Sequence, residues 1–256
     1  MQTILKESLV KSYSICLKDA VENFTKALVY SIFDEEYKQN NYHEIQNKFI
    51  NILKRLQVLD SENIWKTYES EFLEIRTKLD LDAVATEKND PACKSLEEVY
   101  LAYPGFFAIS IYRLSNALLK LDVPILPRMM SEYAHRITGV DIHPAAEIGD
   151  SFFIDHATGI VIGETTIIKE NVKIFQGVTL GGIQVKKSLA KTKRHPTIER
   201  NVTIYANATI LGGDVVIGAN SIIGANVCVT ESVAEDVIIT DQSKNKIIKI
   251  KLKDGN

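Results

Sequence analysis

Glycine is missing from the first 104 residues of this 256-residue chain, and proline from the first 90. Nothing there interrupts a helix through backbone chemistry alone. Cysteine is scarce: Cys16, Cys93 and Cys228 lie scattered, with no metal-type spacing. An odd, sparse set argues against a disulfide framework and for a reducing compartment. No stretch approaches the ~20 apolar residues of a membrane span. The N-terminus lacks the basic, apolar and small-residue order of a leader. The chain therefore reads as a soluble, cytoplasmic protein with no membrane partner. A surplus of one charge is also missing: 30 Lys and Arg face 33 Asp and Glu, a net −3. That gives no reason to expect nucleic acid. No Gly-rich phosphate loop, Ser nucleophile motif or Cys–His dyad is visible.

What is present divides the chain in two. Up to about residue 138 the pattern is helical. Ile45, Phe49, Ile52, Leu53 and Leu56 recur at spacings of three and four. Ile64, Trp65, Tyr68, Phe72, Ile75 and Leu79 repeat this after an N-cap at Asp60-Ser61. Asn89-Asp90-Pro91 is a breaker, and Ser95 with Glu98 forms a capping box. Pro104-Gly105 breaks the chain again before a helix carrying Phe107, Ile111, Leu114 and Leu118. Pro124 and Pro127 mark a linker, and a short helix around 128–137 leads to Gly139.

From Gly139 the composition shifts, and all but one of the 13 glycines follow. Counting in sixes from Ile142 gives Ile148, Ile154, Ile160, Thr166, Val172 and Val178. The step resumes as Ile198, Ile204, Ile210, Val216, Ile222 and Cys228. A sustained period of six is the signature of a hexapeptide β-helix, in which each short strand buries one residue of the series. Cys228 then reads as core filler. Pairs such as Ile148-Gly149, Ile162-Gly163, Ile217-Gly218 and Ile223-Gly224 mark corners where glycine supplies φ > 0. The count fails between Ile183 and Arg194, where five basic residues sit in an insert; such inserts map to loops, often on the binding face. Expected domains are 1–138, α-helical, and 139–256, a β-helix with a loop at 183–195 and a tail at 236–256. Lys244 to Lys253 alternates Lys with Ile and Leu, as a half-buried strand or a tail along the solenoid would.

Three histidines, His143, His156 and His195, lie in or beside the β-helix. His156 follows Asp155 and precedes the small run Ala157-Thr158-Gly159, which leaves room for a ligand. An imidazole with an ordinary pKa near ~6.5 suits general-base work. A carboxylate would orient it, and Asp155 and Asp141 are the nearby acids. With roughly 18 residues per three-sided coil, Asp141 falls one coil back and three positions along. A solvated or structurally bonded His156 is the competing reading. A three-histidine zinc site is poorly served by the spacing, so no metal is expected.

The run Val140-Asp-Ile-His-Pro-Ala-Ala-Glu-Ile-Gly, Ile154-Asp-His-Ala-Thr-Gly-Ile-Val-Ile-Gly-Glu-Thr, Val178-Thr-Leu-Gly-Gly and Arg194-His195-Pro196 resembles the serine O-acetyltransferase family of hexapeptide acyltransferases. The resemblance reaches upstream to Asn89-Asp90-Pro91 and Tyr112-Arg113. It implies a left-handed parallel β-helix behind a helical oligomerisation domain. It also implies acetyl transfer from acetyl-CoA to L-serine, giving O-acetyl-L-serine for cysteine biosynthesis. Carried onto this chain, His156 is the general base and Asp141 its orienting partner. Asp90 and Asp155 hold the serine amino group, Arg194 grips the carboxylate and His195 assists. Backbone near Gly182, Ala206 and Ala225 touches CoA. The family implies a homotrimer or a dimer of trimers with sites between chains, and makes L-cysteine a candidate feedback inhibitor. Another hydroxyl acceptor (phosphoserine, homoserine or a sugar) is the alternative activity.

This chain departs from the family in three places. The insert before Arg194 is longer. Ile239-Thr-Asp-Gln-Ser-Lys replaces the usual Gly-[Val/Ile]-Pro-Ala stretch, leaving Lys244 or Lys246 to meet the CoA phosphates. The chain ends in Asn256 where many members end in isoleucine, which speaks against the O-acetylserine sulfhydrylase complex.

Overall fold

A computed structural model describes residues 15–183, 192–242 and 245–250. The middle of the basic insert, Lys244 and Asn256 lie outside the described residues.

The helices are α1 (Leu17–Phe33), α2 (Glu35–Arg55), α3 (Ser61–Ser70), α4 (Phe72–Asn89), α5 (Leu96–Ala102), α6 (Pro104–Lys120) and α7 (Leu126–Thr138). The periodic faces read from sequence are the buried ones: Phe49, Leu53, Tyr68 and Leu79 are fully enclosed. The single run expected from Ile64 to Leu79 is divided at Glu71. The turn there lets Trp65, Tyr68 and Phe72 crowd around one another, the last two edge to face at 4.9 Å. Ser95 caps α5 by accepting from the Glu98 N–H at 3.2 Å. The Glu98 carboxylate reaches back to the Lys94 N–H at 2.9 Å, one residue before the usual box partner. Pro127 does not belong to a linker. It sits in the first turn of α7, where a missing N–H costs nothing.

The second half is a left-handed parallel β-helix of short strands in three sheets. Sheet one stacks β1 (Val140–Ile142), β4 (Ile160–Ile162), β7 (Thr179–Gly181), β10 (Thr209–Leu211) and β13 (Cys228–Val229). Sheet two stacks β2 (Glu147–Ile148), β5 (Ile167–Ile168), β8 (Thr197–Ile198) and β11 (Val216–Ile217). Sheet three stacks β3 (Phe153–Ile154), β6 (Lys173–Ile174), β9 (Thr203–Ile204), β12 (Ile222–Ile223) and β14 (Val237–Gln242). The alternating tail forms β15 (Asn245–Ile250), which turns back antiparallel along β14.

Strand register corrects the count of sixes. Ile142 pairs with Ile162, Ile162 with Leu180, Leu180 with Ile210 and Ile210 with Val229. The inward series therefore slips by two between Ile154 and Ile162, where Asp155–Gly159 adds two residues to a corner. Thr166, Val172 and Val178 are buried at a second inward position, two residues before each strand's core residue. A further slip of one follows Gly212-Gly213, so Ile217, Ile223 and Val229 are buried while Val216 and Cys228 face out. Cys228 is thus a surface residue and not core filler. Measured on the inward series, the insert replaces the single hexad between Leu180 and Ile198, since Ile198 stacks on Ile168. Glycine's role at corners also differs from expectation. Left-handed corner positions fall to Asn171, Asn201, Asn207, Asn220 and Asn226, a conformation asparagine tolerates. Gly149 is needed because the backbone of the next coil passes 2.8 Å from where its Cβ would lie.

A solenoid's first coil has no preceding coil to satisfy its backbone. Here α6 supplies the missing partners. Tyr112 Oη donates to the Ala146 carbonyl at 2.6 Å and Asn116 Nδ2 to that of Pro144 at 2.7 Å. Arg113 donates to Gly149 at 2.8 Å and makes a two-point pair with Asp82 of α4 at 2.6 and 2.8 Å. Asp82 in turn accepts from the Phe152 N–H at 2.8 Å. Both charged side chains are buried. Removing one partner of such a pair strands the other charge at a cost of ~3–5 kcal/mol. Asp82→Ala is expected to lower the free energy of urea unfolding by about that amount, well beyond an exposed-pair control such as Glu74→Ala.

Candidate functional site

The two-residue extension at the corner from sheet three to sheet one is where His156 sits. His156 and Ala157 have φ of 57° and 69°, and Gly159 has 80°. Left-handed backbone costs a non-glycine residue ~1–2 kcal/mol, and such strain gathers at functional sites. The conformation is held by its bonds: Ala157 N–H to Asp155 O at 2.7 Å, Gly159 N–H to Gly139 O at 2.8 Å, and Gly177 N–H to Thr158 O at 2.9 Å. Ala157 is fully buried as the corner's plug. The His156 side chain is 69% exposed beside it, with Nε2 3.7 Å from the Asp155 carboxylate.

Asp155 is mostly enclosed. Burial pushes its carboxyl above the ordinary value, His156 pulls it back and Asp90 adds to the rise. Asp90 reaches this corner from the helical half, just past the end of α4. It accepts a 2.5 Å hydrogen bond from Tyr103 Oη and another from the Ala92 N–H at 2.8 Å. An imidazole on left-handed backbone and two carboxylates thus share one corner. That set can take up a proton and hold an ammonium group.

Below His156 the same corner forms a ridge of small or exposed backbone. The Asn207 N–H bonds Gln176 O and the Asn226 N–H bonds Ala206 O, each at 2.9 Å. Ala206 and Ala225 therefore follow one another down this edge. The Gln176 Oε1 atom, on the same edge, is buried without a hydrogen-bond partner among the described residues. Gly182 lies elsewhere, just after β7 on the far side of sheet one.

That far edge, the corner from sheet one to sheet two, holds the second set. Arg194 pairs with Glu164, and Lys193 Nζ donates to the Thr165 and His195 carbonyls at 2.9 and 2.8 Å. His195 lies so close over Gly163 that a Cβ there would come within 2.0 Å of its ring. Burial lowers the His195 pKa, with Arg194 as the next cause. His143, on the adjoining corner, is lowered by burial and then by Arg128, while its Nδ1 accepts from the Ala145 N–H at 3.1 Å. Asp141 stands on β1 directly against Val161, because the extended corner makes this coil longer than counted. Its ionic partner is Arg128 at 4.0 Å. Within one chain, then, Asp90, Asp155 and His156 are brought together, and so are Arg194 and His195. The two sets stand at opposite edges of sheet one. Sequence reading gave no role to Glu164, Thr165, Tyr103 or Gln176. The first two were legible only as polar residues at a hexad corner, and the others had no local signal. Among the described residues no three His, Cys, Asp or Glu side chains gather to hold a metal, and no helix is long and apolar enough to cross a membrane.

The two lowered histidines have a measurable consequence. In the unfolded chain they titrate near their ordinary value of 6.5. Below that pH the unfolded chain binds more protons than the folded one, so their contribution is complete above ~6.5 and is lost as pH falls toward the folded values. The charges facing them are Arg128, Asp141, Glu164, Lys193 and Arg194. The melting temperature is expected to fall from pH 7 to 5.5, and the fall to flatten in a His143→Gln/His195→Gln protein, as differential scanning fluorimetry would show.

No family model matches the sequence. A plasmid-borne serine acetyltransferase of Synechococcus elongatus is 48% identical over 131 residues, covering 49% of this chain and 41% of that protein. The chain spans about half the length of the curated relatives it matches. Native serine acetyltransferase 1 from Entamoeba histolytica superposes with a TM-score of 0.77 at 30% identity, over 85% of each chain. Serine acetyltransferase isoform 3 from the same organism, solved with cysteine, gives 0.75 at 29% identity over 93% and 86% of the two chains. The Brucella abortus strain S19 enzyme, solved with coenzyme A, gives 0.67 at 29% over 92% and 95%.

Proposed function

Because this chain belongs to the serine acetyltransferase family, we propose that it moves the acetyl group of acetyl-CoA onto the hydroxyl of L-serine, releasing O-acetyl-L-serine and CoA. The observation that carries this reading is the extended corner, which sets the exposed, strained His156 beside Asp155 and Asp90.

In this reading, Asp90 and Asp155 bind the serine ammonium, and Tyr103 holds the Asp90 carboxylate in place. Arg194 takes the serine carboxylate in its planar fork. His156 removes the hydroxyl proton as the oxygen attacks the thioester carbonyl. The tetrahedral oxyanion needs nearby donors, and collapse expels the thiolate, which regains the proton from His156. We assign to Asp141 the task of orienting His156. CoA lies along the ridge through Ala206 and Ala225, with Gly182 contributed across the contact to another chain.

The separation of the two sets supports an assembly in which Arg194 and His195 of one chain meet the His156 corner of the next. We therefore propose a homotrimer, alone or as a dimer of trimers. L-Cysteine differs from L-serine by one sulfur and is proposed to occupy the same site, in keeping with the cysteine-bound relative. The free cysteines Cys16, Cys93 and Cys228 fit a reducing cytoplasm.

Thiol release from acetyl-CoA in the presence of L-serine tests the reaction, with homoserine, phosphoserine and sugars as competing acceptors. Serine is expected to exceed the sugars by a wide margin, and absence of turnover with every hydroxyl amino acid would refute the proposal. His156→Ala is expected to lower kcat by ~10²–10⁴-fold. Arg194→Lys, which loses the two-point grip, should raise the KM for serine by about tenfold.

A further inference from the structure

We propose that Thr165 is a positioning residue that aims the Arg194–His195 pair, resting on the roles just proposed for those two side chains. Four contacts converge on it. Its Oγ1 accepts from the Arg194 N–H at 2.8 Å and from the His195 N–H at 3.1 Å. The same oxygen stands 2.9 Å from His195 Nδ1. Its own N–H donates to that Nδ1 at 3.1 Å. One hydroxyl therefore anchors the point where the basic insert rejoins the solenoid, at both residues that carry chemistry.

The arrangement also sets the state of the imidazole. A ring nitrogen that accepts a backbone N–H has no proton of its own, so in neutral His195 the proton resides on Nε2. His195 is then a hydrogen-bond donor at Nε2, suited to a carboxylate or a developing oxyanion. Glu164, the preceding residue, pairs with Arg194. The dipeptide Glu164-Thr165 thus fixes both side chains from the preceding coil. The insert is 18 positions long from Leu180 to Ile198, where one hexad would need six. Its closing end needs such an anchor if Arg194 is to reach the same place on every molecule.

Steady-state kinetics on Thr165→Val, Thr165→Ala and Thr165→Ser, each with its melting temperature, tests this. The valine and alanine variants are expected to raise the KM for L-serine by roughly 10- to 100-fold, the scale of misplaced binding groups. The KM for acetyl-CoA should change less than twofold, and serine at position 165 should restore most of the loss. A valine or alanine variant with unaltered serine kinetics would overturn the inference, as would a serine variant as impaired as they are. A second readout is independent of turnover. In protein labelled with ¹⁵N-histidine, His195, assigned by His195→Gln, should show an unprotonated Nδ1 and a protonated Nε2. The backbone N–H should keep Nδ1 unprotonated in every variant, while the Nδ1 resonance should shift in Thr165→Val, which loses the hydroxyl contact, and stay in place in Thr165→Ser. If the unmodified chain does not acetylate serine, the functional reading fails and the ring signature alone decides. An Nδ1-protonated ring, or an Nδ1 resonance unmoved in Thr165→Val, rejects the clamp.

Discussion

The buried pair between Arg113 and Asp82 joins the two halves of this protein, and the site depends on it. A β-helix grows by lending each coil's backbone to the next. Its first coil has nothing above it, and unpaired carbonyls and amides there would be costly once covered by protein. Arg113, Tyr112 and Asn116 give donors to the open carbonyls, and Asp82 gives an acceptor to the Phe152 N–H. The charges satisfy one another and the coil edge at once. This is the condition under which a buried ion pair is tolerable. The consequence for function is positional. Asp82 lies on α4, and α4 ends at the segment bearing Asp90. Fixing α4 against the first coil brings a carboxylate from the helical half to the corner where Asp155 and His156 wait. The close approach of Gly105 to Ile154, with room for no side chain at 2.7 Å, serves the same seam.

Regular coils build the scaffold, and departures from regularity place the residues to which the chemistry is assigned. A hexad corner that keeps step turns its side chains outward in a fixed rhythm. Two added residues at Asp155–Gly159 force two consecutive non-glycine residues into left-handed backbone and push an imidazole into solvent. The long insert brings Arg194 and His195 back onto the corner of the preceding coil. The strain at His156 is small against a core of stacked isoleucines from Ile142 to Ile239, which the neighbouring coils hold in register. Each fully buried aliphatic side chain contributes about 1.5–3 kcal/mol.

Electrostatics divides the two edges of sheet one. At the His156 corner, carboxylates gather and burial raises Asp155. At the opposite edge, cations gather and burial lowers His195, His143 and Lys193. An amino acid carries an ammonium and a carboxylate a few ångströms apart. An acidic edge facing a basic one is the complement of that zwitterion, and the proposed pairing of chains would present it.

The helical first half, its capping box and the six-residue rhythm were all legible in the sequence, because each is local. A helix face needs only its own spacing of three and four, and a coil needs only one aliphatic residue per strand. Asp155, His156, Arg194 and His195 were legible too, as polar motifs where that rhythm breaks. The phase of the rhythm was not. Counting in sixes cannot see that two residues were added before Ile162 and one after Gly212, so it took Cys228 and Val216 for core. Only the stacking of one coil on another decides which residue faces inward. In the same way, only folding could put Asp82 against Arg113, Asp90 beside Asp155, and Thr165 under His195. Those pairs are 31, 65 and 30 residues apart, and their contact energies exist only once the backbone between them has been placed.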